Sequence, residues 1–157
     1  MPERSAGILV FRRSSQAVEV FLAHPGGPFW ARKDEHAWSI PKGLYGENED
    51  PLSAAKREFE EETSISIDGR FVPLGEFRQP GGKLITAYVV EADVDETRVK
   101  SNFFEMEWPP KSGRRQSFPE IDRAQWFDIE TAARKMHKGQ IPILHALVKQ
   151  LEIVRQE

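Results

Sequence analysis

The stretch from Gly43 to Ile65, GLYGENEDPLSAAKREFEEETSI, constrains this chain more than any other. It opens as a glycine-bearing loop and continues as a helix. Asp50 is a good N-cap, Pro51 suits the first helical position, and Leu52, Ala54 and Ala55 follow. The pattern predicts a helix from about Pro51 to Thr63. Leu52, Ala55 and Phe59 share one face of it, expected to be buried. Glu58, Glu61 and Glu62 stand at i, i+3 and i+4, so their carboxylates converge on a neighbouring face. Ala54 lies one turn below Glu58 and is expected to leave room above that acidic face.

These acids are badly placed for helix stability. Glu60, Glu61 and Glu62 fall in the last turn, where the helix dipole disfavours negative charge by about 0.3–1 kcal/mol each when exposed. The pairs Glu58–Glu61 and Glu58–Glu62 add like-charge repulsion of about 0.2–0.5 kcal/mol each. Arg57 reaches Glu61 at i+4 and offsets part of this. A bound divalent cation reverses the balance, because magnesium takes hard oxygen ligands. The competing reading is a solvated acidic helix face. The upstream acid Glu49 and the glycine loop at Gly43 weigh against it.

The stretch resembles the signature of the Nudix hydrolase family, G-x5-E-x7-R-E-U-x-E-E-x-G-U with U apolar. Gly43, Glu49, Arg57, Glu58, Phe59, Glu61, Glu62 and Ile65 fit in register, so the match is specific. Ser64 departs from it, standing where the family usually has glycine. Glycine past a helix end supplies a left-handed turn, and serine pays about 1–2 kcal/mol to keep it. No ligand is lost by this change.

The rest of the chain sets limits on function. Its 157 residues, 39% hydrophobic and 30% charged, suit one soluble globular domain spanning 1–157. A net charge of −3 gives no overall pull toward nucleic acid or anionic membrane. With no cysteine, disulfides, thiolate metal sites and a cysteine nucleophile are excluded. The early apolar run Ala6 to Phe11 is too short for a signal segment or a membrane span, and a cytoplasmic protein is expected.

Ser5 to Arg12 and Ala17 to Ala23 read as a hairpin around Arg13–Gln16, broken afterwards by His24–Pro28. Trp30 and Arg32 follow in an irregular stretch. Either they stack a base and hold phosphate, or the aromatic is core and its basic neighbours are solvated. Lys42 is a point charge for phosphate oxygens or a solvated lysine, and Gly43 lets backbone approach metal or phosphate. Tyr45 faces substrate or packs. Phe71 to Arg78 and Lys83 to Ala92 read as strands around a Gln79–Gly82 turn, the second of them central. Phe103 to Arg115 mixes aromatic, acidic, basic and proline residues. It reads as an irregular loop, either facing substrate or anchored at the surface by Trp108. Ala124 to Phe127 is a short strand. Ile129 to Met136 is a short helix, and Pro142 to Val154 an amphipathic one with Ile143, Leu144, Leu147, Leu151 and Val154 on one side. The four histidines lack metal-ligand spacing and read as structural or surface residues.

The resemblance implies an α/β fold, the Nudix-type α/β/α sandwich with a mixed central sheet. It implies metal-dependent hydrolysis of a phosphoanhydride in a nucleoside diphosphate linked to another group. Glu58, Glu61 and Glu62 would ligate Mg²⁺, or Mn²⁺ in its place, with Gly43 and Glu49 beside the cluster. Glu61 or Glu58 would take the water's proton, and Arg57 would hold the helix carboxylates. Some Nudix enzymes place a further carboxylate outside the helix, and Glu120 is the candidate here. The lead-in Trp38–Ser39–Ile40–Pro41–Lys42–Gly43 is similar to that of family members acting on dinucleoside polyphosphates, and of some acting on nucleoside triphosphates. A diadenosine polyphosphate is thus the expected substrate. An (oxidised) nucleoside triphosphate pyrophosphatase and a non-catalytic nucleotide-sensing module are the alternatives. The partner is a small nucleotide rather than nucleic acid or membrane, and the chain is expected as a monomer or homodimer.

Overall fold

The computed structural model describes residues 3–15 and 17–156, with side chains to 152. Strand β1 (Arg4–Arg13) is the axis of the fold. Successive side chains of a strand point to opposite faces. Accordingly, Leu9 and Phe11 enter one core, while Ala6, Ile8 and Val10 enter the other. Such a strand must lie mid-sheet and be covered twice. It pairs in parallel with β5 (Leu84–Glu91) and antiparallel with β2 (Val18–Pro25). The sheet continues to β4 (Val72–Arg78) beyond β5 and to β8 (Ile121–Asp128) beyond β2, in the order β4-β5-β1-β2-β8. The short β3 (Lys42–Leu44) pairs with the start of β1. Helix α1 (Pro51–Thr63) covers one face. Helices α2 (Ile129–Lys135) and α3 (Ile141–Gln156) cover the other. This is a three-layer α/β/α arrangement around a mixed sheet.

Helix α1 has the expected bounds, and the Asp50 carboxylate accepts from the Ser53 backbone N–H at 3.0 Å. Its buried face is shifted. Ala54, Ala55 and Phe59 are fully buried, whereas Leu52 is half-buried. Ala54 is therefore a core residue and not a gap above the acids. Ser64 keeps the left-handed turn at φ 63° and ψ 19°. Its hydroxyl donates to the Lys100 carbonyl and its N–H to the Glu60 carbonyl, which offsets the cost of the turn.

The sequence reading and the structure part in two further places. Strand β2 runs on through His24 and Pro25, with a register shift between them after which Pro25 still pairs with Ile121. The stretch read as an irregular loop is a β-hairpin, β6 (Phe103–Glu107) paired antiparallel with β7 (Arg115–Pro119). Pro109 and Pro110 sit in its connection, where a missing N–H costs nothing. Gln16 and the side chain of Val154 lie outside the described residues. Ile143, Leu144 and Leu147 are buried as expected. Among the described residues, no helix is long and apolar enough to cross a membrane.

Gly7 explains how β3 reaches its place. A Cβ there would lie 2.8 Å from the Lys42 Cβ and 2.9 Å from the Pro41 carbonyl oxygen. Only a glycine in β1 lets β3 cross this closely, and that crossing delivers Lys42 and Gly43 to the end of α1.

Candidate active site

Arg57 is the hub of the acidic cluster. Its Nε and Nη2 donate to both oxygens of Glu49 at 2.8 and 2.9 Å, a bidentate pair. Its Nη1 donates to Glu58 Oε1 at 2.8 Å and to both Glu61 oxygens at 3.2 Å. One guanidinium thus gathers three carboxylates that would otherwise repel one another. The hydrogen bond to Glu49, and then those to Glu58 and Glu61, raise the Arg57 pKa despite the opposing effect of burial. The same contact holds Glu49 below the usual carboxylate range.

Glu62 lies outside this grip. Its Oε1 accepts from the Lys42 backbone N–H at 3.1 Å. Burial, against which that hydrogen bond and Lys42 work, pushes its pKa up to about 7, and the charges of Glu58 and Glu120 push the same way. Burial, more than the opposing contact with Arg57, also raises Glu58. Gly43 faces Glu58 directly, since a Cβ on Gly43 would stand 1.9 Å from Glu58 Oε2.

Ionised Glu62 therefore strains the metal-free fold. Its folded pKa of about 7 exceeds the unfolded 4.5, so the folded state binds more protons between those values. The associated stability is complete below the unfolded pKa and is lost as pH rises through about 7. At pH 8 the deficit is on the order of 3 kcal/mol. Glu62→Gln keeps the acceptor for the Lys42 N–H and removes the charge. It should stabilise the chelator-treated protein by about that amount at pH 8, with the gain shrinking toward pH 5. Urea denaturation at the two pH values measures this. A less stable variant at pH 8 would refute it.

Two cavities flank the segment after β2. Trp30 and Glu120 line an apolar cleft of about 450 Å³ together with Phe29, Phe104, Met106 and Gly27. Glu120 is also close enough to Glu62 for their charges to interact. Gly27 sits under Phe104, and a Cβ there would meet its ring at 2.8 Å. Arg32 is not in this cleft. It lines a separate polar cavity with Lys33, Asp34 and Arg123. Tyr45 packs against the α1-side core, with its hydroxyl 3.4 Å from Thr86 Oγ1. Trp38 of the lead-in is buried and donates its indole N–H to Asp34, so it presents no ring to a ligand.

Phe104 and Met106 lie in the stretch read as either facing substrate or anchored at the surface, but the sequence reading singles out neither. The alternation Phe104-x-Met106-x-Trp108 was the available signal, since it marks one face of a strand. His137 stands near the same cleft. Its ring lies 6.3 Å from Trp30, and burial first, then Lys42 and His36, lower its pKa.

The donor set suits a hard divalent cation. Three helix carboxylates lie together, one of them half-buried without a cationic side chain in hydrogen-bonding contact, and a glycine keeps the adjacent backbone clear. In the present arrangement Arg57 holds Glu58 and Glu61. Among the described residues, no group of three His, Asp or Glu side chains is already set to ligate one ion.

Comparison with known proteins agrees with this layout. The NUDIX domain model matches residues 1–147. The chain is 31% identical over 113 residues to Nudix hydrolase 7 of Arabidopsis thaliana, covering 67% of this chain but only 38% of the length of that relative. It is 29% identical over 147 residues to the RNA pyrophosphohydrolase of Bartonella henselae, covering 82% of this chain and 77% of that protein. A C. elegans Ap4A hydrolase binary complex superposes with a TM-score of 0.65 at 18% identity, over 94% of this chain and 98% of the other. The NUDIX domain of Shewanella oneidensis NrtR, complexed with ADP ribose, gives 0.64 at 13% identity, over 96% and 89%. At such identities these structures speak for the fold alone. With a family model spanning nearly the whole chain and a signature helix whose arginine gathers its own carboxylates, the protein belongs to the Nudix hydrolase family.

Proposed function

We propose that this chain is a metal-dependent pyrophosphohydrolase acting on a nucleotide, with a dinucleoside polyphosphate such as diadenosine tetraphosphate as substrate. The observation that carries this reading is the adjacency of two features. An arginine-gathered carboxylate cluster stands beside an aromatic cleft, and Glu120 belongs to that cleft while sensing the charge of Glu62. The Trp38–Gly43 lead-in supports the substrate class.

Glu58, Glu61 and Glu62 would hold Mg²⁺, with Mn²⁺ as a substitute. When bound, the metal neutralises phosphoryl charge and lowers the pKa of water. Glu61 is the exposed carboxylate and the loosest in the grip of Arg57, so its Oε accepts the proton of the attacking water. The water oxygen bonds to phosphorus, the anhydride P–O bond breaks, and the leaving phosphate carries away the charge. Arg57 orients Glu58 and Glu61, and through Glu49 it ties the helix to the preceding loop. The Lys42 ammonium neutralises phosphate oxygens. Trp30 and Phe104 stack the base in the cleft.

Product analysis with Mg²⁺ tests this on diadenosine tetraphosphate and a panel of canonical and oxidised nucleoside triphosphates. The reading predicts ATP plus AMP, at higher kcat/KM than any triphosphate. Monophosphate plus pyrophosphate from a triphosphate would move the protein to the nucleotide-sanitising class. No turnover on either would favour a sensing module.

A further inference from the structure

The polar cavity that takes Arg32 is the other large concavity beside the 30–33 segment, at about 650 Å³. Four cations line it: Arg32, Lys33, Arg123 and Lys135. So do three acids, but each already has a partner. Glu19 accepts from Arg12 at 2.9 Å, Asp34 pairs with Lys135 and accepts from the Trp38 indole, and Asp128 caps α2. Among the described residues, Arg32, Lys33 and Arg123 have no ion-pair partner. Arg123 is braced on the Trp38 ring at 5.3 Å from its centroid, and Lys33 on Trp30 at 5.0 Å. A chain of net charge −3 thus assembles three cations without an ion-pair partner at one concave place, two of them braced on aromatic rings, with Arg123 near enough to Asp34 for their charges to interact.

We propose that this cavity is a second anion site, separate from the acidic cluster, that binds a ligand carrying two or more phosphate groups. Guanidinium forks match phosphate oxygens in pairs, and two of the three free cations are arginines. Three free positive charges balance a pyrophosphate or a tripolyphosphate better than a single phosphate or a carboxylate. Such a ligand comes from one of two sources. It is either a free polyphosphate or the stretch of a substrate's phosphate chain that lies beyond the acidic cluster, with its base in the neighbouring cleft. Segments 30–33 and 120–123 each contribute to both cavities, so the two are neighbours.

The test is calorimetric titration of the chelator-treated protein with inorganic tripolyphosphate. Without metal the Glu58–Glu62 cluster repels a polyanion, so binding reports on the cavity and stays independent of whether the chain hydrolyses anything. The expected result is saturable one-to-one binding, weakened at least about 10-fold in Arg32→Gln/Arg123→Gln. The same loss of charge in Lys56→Gln/Lys149→Gln, on other surfaces, should leave it within about 2-fold. Absent binding, or equal loss in both variants, overturns the site. With metal present, a raised KM for diadenosine tetraphosphate in the arginine variant assigns the bound group to the substrate. An unchanged KM, with tripolyphosphate binding lost, assigns it to a free polyphosphate.

Discussion

Glu61→Gln is expected to lower kcat/KM by about 10³-fold or more while leaving the fold unchanged. The side chain is exposed, and among the described residues both its oxygens accept only from Arg57, at 3.2 Å. Glutamine fills the same volume and keeps one acceptor. The exposed ion pair it gives up is worth roughly 0–1 kcal/mol, so thermal unfolding should scarcely move. Catalysis has no such tolerance. An amide cannot take the proton from water, and general-base catalysis contributes about 10²–10⁴-fold. It also makes a poorer ligand for a hard cation, which adds to the loss. Steady-state kinetics in Mg²⁺ beside a melting curve decides the matter. Full activity in a folded variant would remove Glu61 from the chemistry.

The second large effect should come from a single methyl group. In Gly43→Ala the new Cβ would stand 1.9 Å from Glu58 Oε2 and 2.1 Å from its Cδ, so the carboxylate must move by more than an ångström. That movement breaks its 2.8 Å contact with Arg57. Gly43 does not adopt a positive φ and pairs with Ala6 in the sheet, so alanine suits the backbone, and the three nearest atoms its Cβ would meet all belong to Glu58. Misplacing a positioned group by about 1 Å costs about 10²-fold, and this is the expected fall in kcat/KM. The double variant Gly43→Ala/Glu58→Ala separates this cause from general damage. It should be no worse than Glu58→Ala alone, because mutations acting through one group are not additive. A further loss in the double variant would show that Gly43 serves something else.

How much of this could be read from the chain depends on the kind of signal. Helix α1 was legible to the residue because Asp50 and Pro51 punctuate its start and the turn at Ser64 ends it. The three layers were what the family resemblance implied, and the structure accounts for them through β1 and β5, which are apolar on both faces. The Nudix signature places Glu58, Glu61 and Glu62 on one face, yet it does not say that Arg57 also takes Glu49 in both arms or that Glu62 is left to a backbone N–H. Those contacts depend on where β3 crosses β1, and that crossing depends on Gly7, whose role no local pattern reveals. The hairpin at Phe103–Pro119 was missed because two adjacent prolines suggested irregularity throughout, although they interrupt only its connection. Trp30 and Arg32 were read together because they are near in sequence. They lie in a run of turns, which has no period from which to infer a face, and the structure sends them to different cavities.

A metal-dependent hydrolytic centre at the arginine-gathered carboxylates has a direct kinetic signature. Turnover of diadenosine tetraphosphate should therefore be followed while free Mg²⁺ is raised from zero in a chelator-buffered assay, with the wild type beside Glu58→Gln and Glu62→Gln. The prediction is no turnover without metal, a saturable rise in the wild type, and an apparent Mg²⁺ affinity weaker in both variants. Turnover that persists in chelator, or a Mg²⁺ dependence identical in all three proteins, would contradict the assignment of this cluster as the catalytic centre.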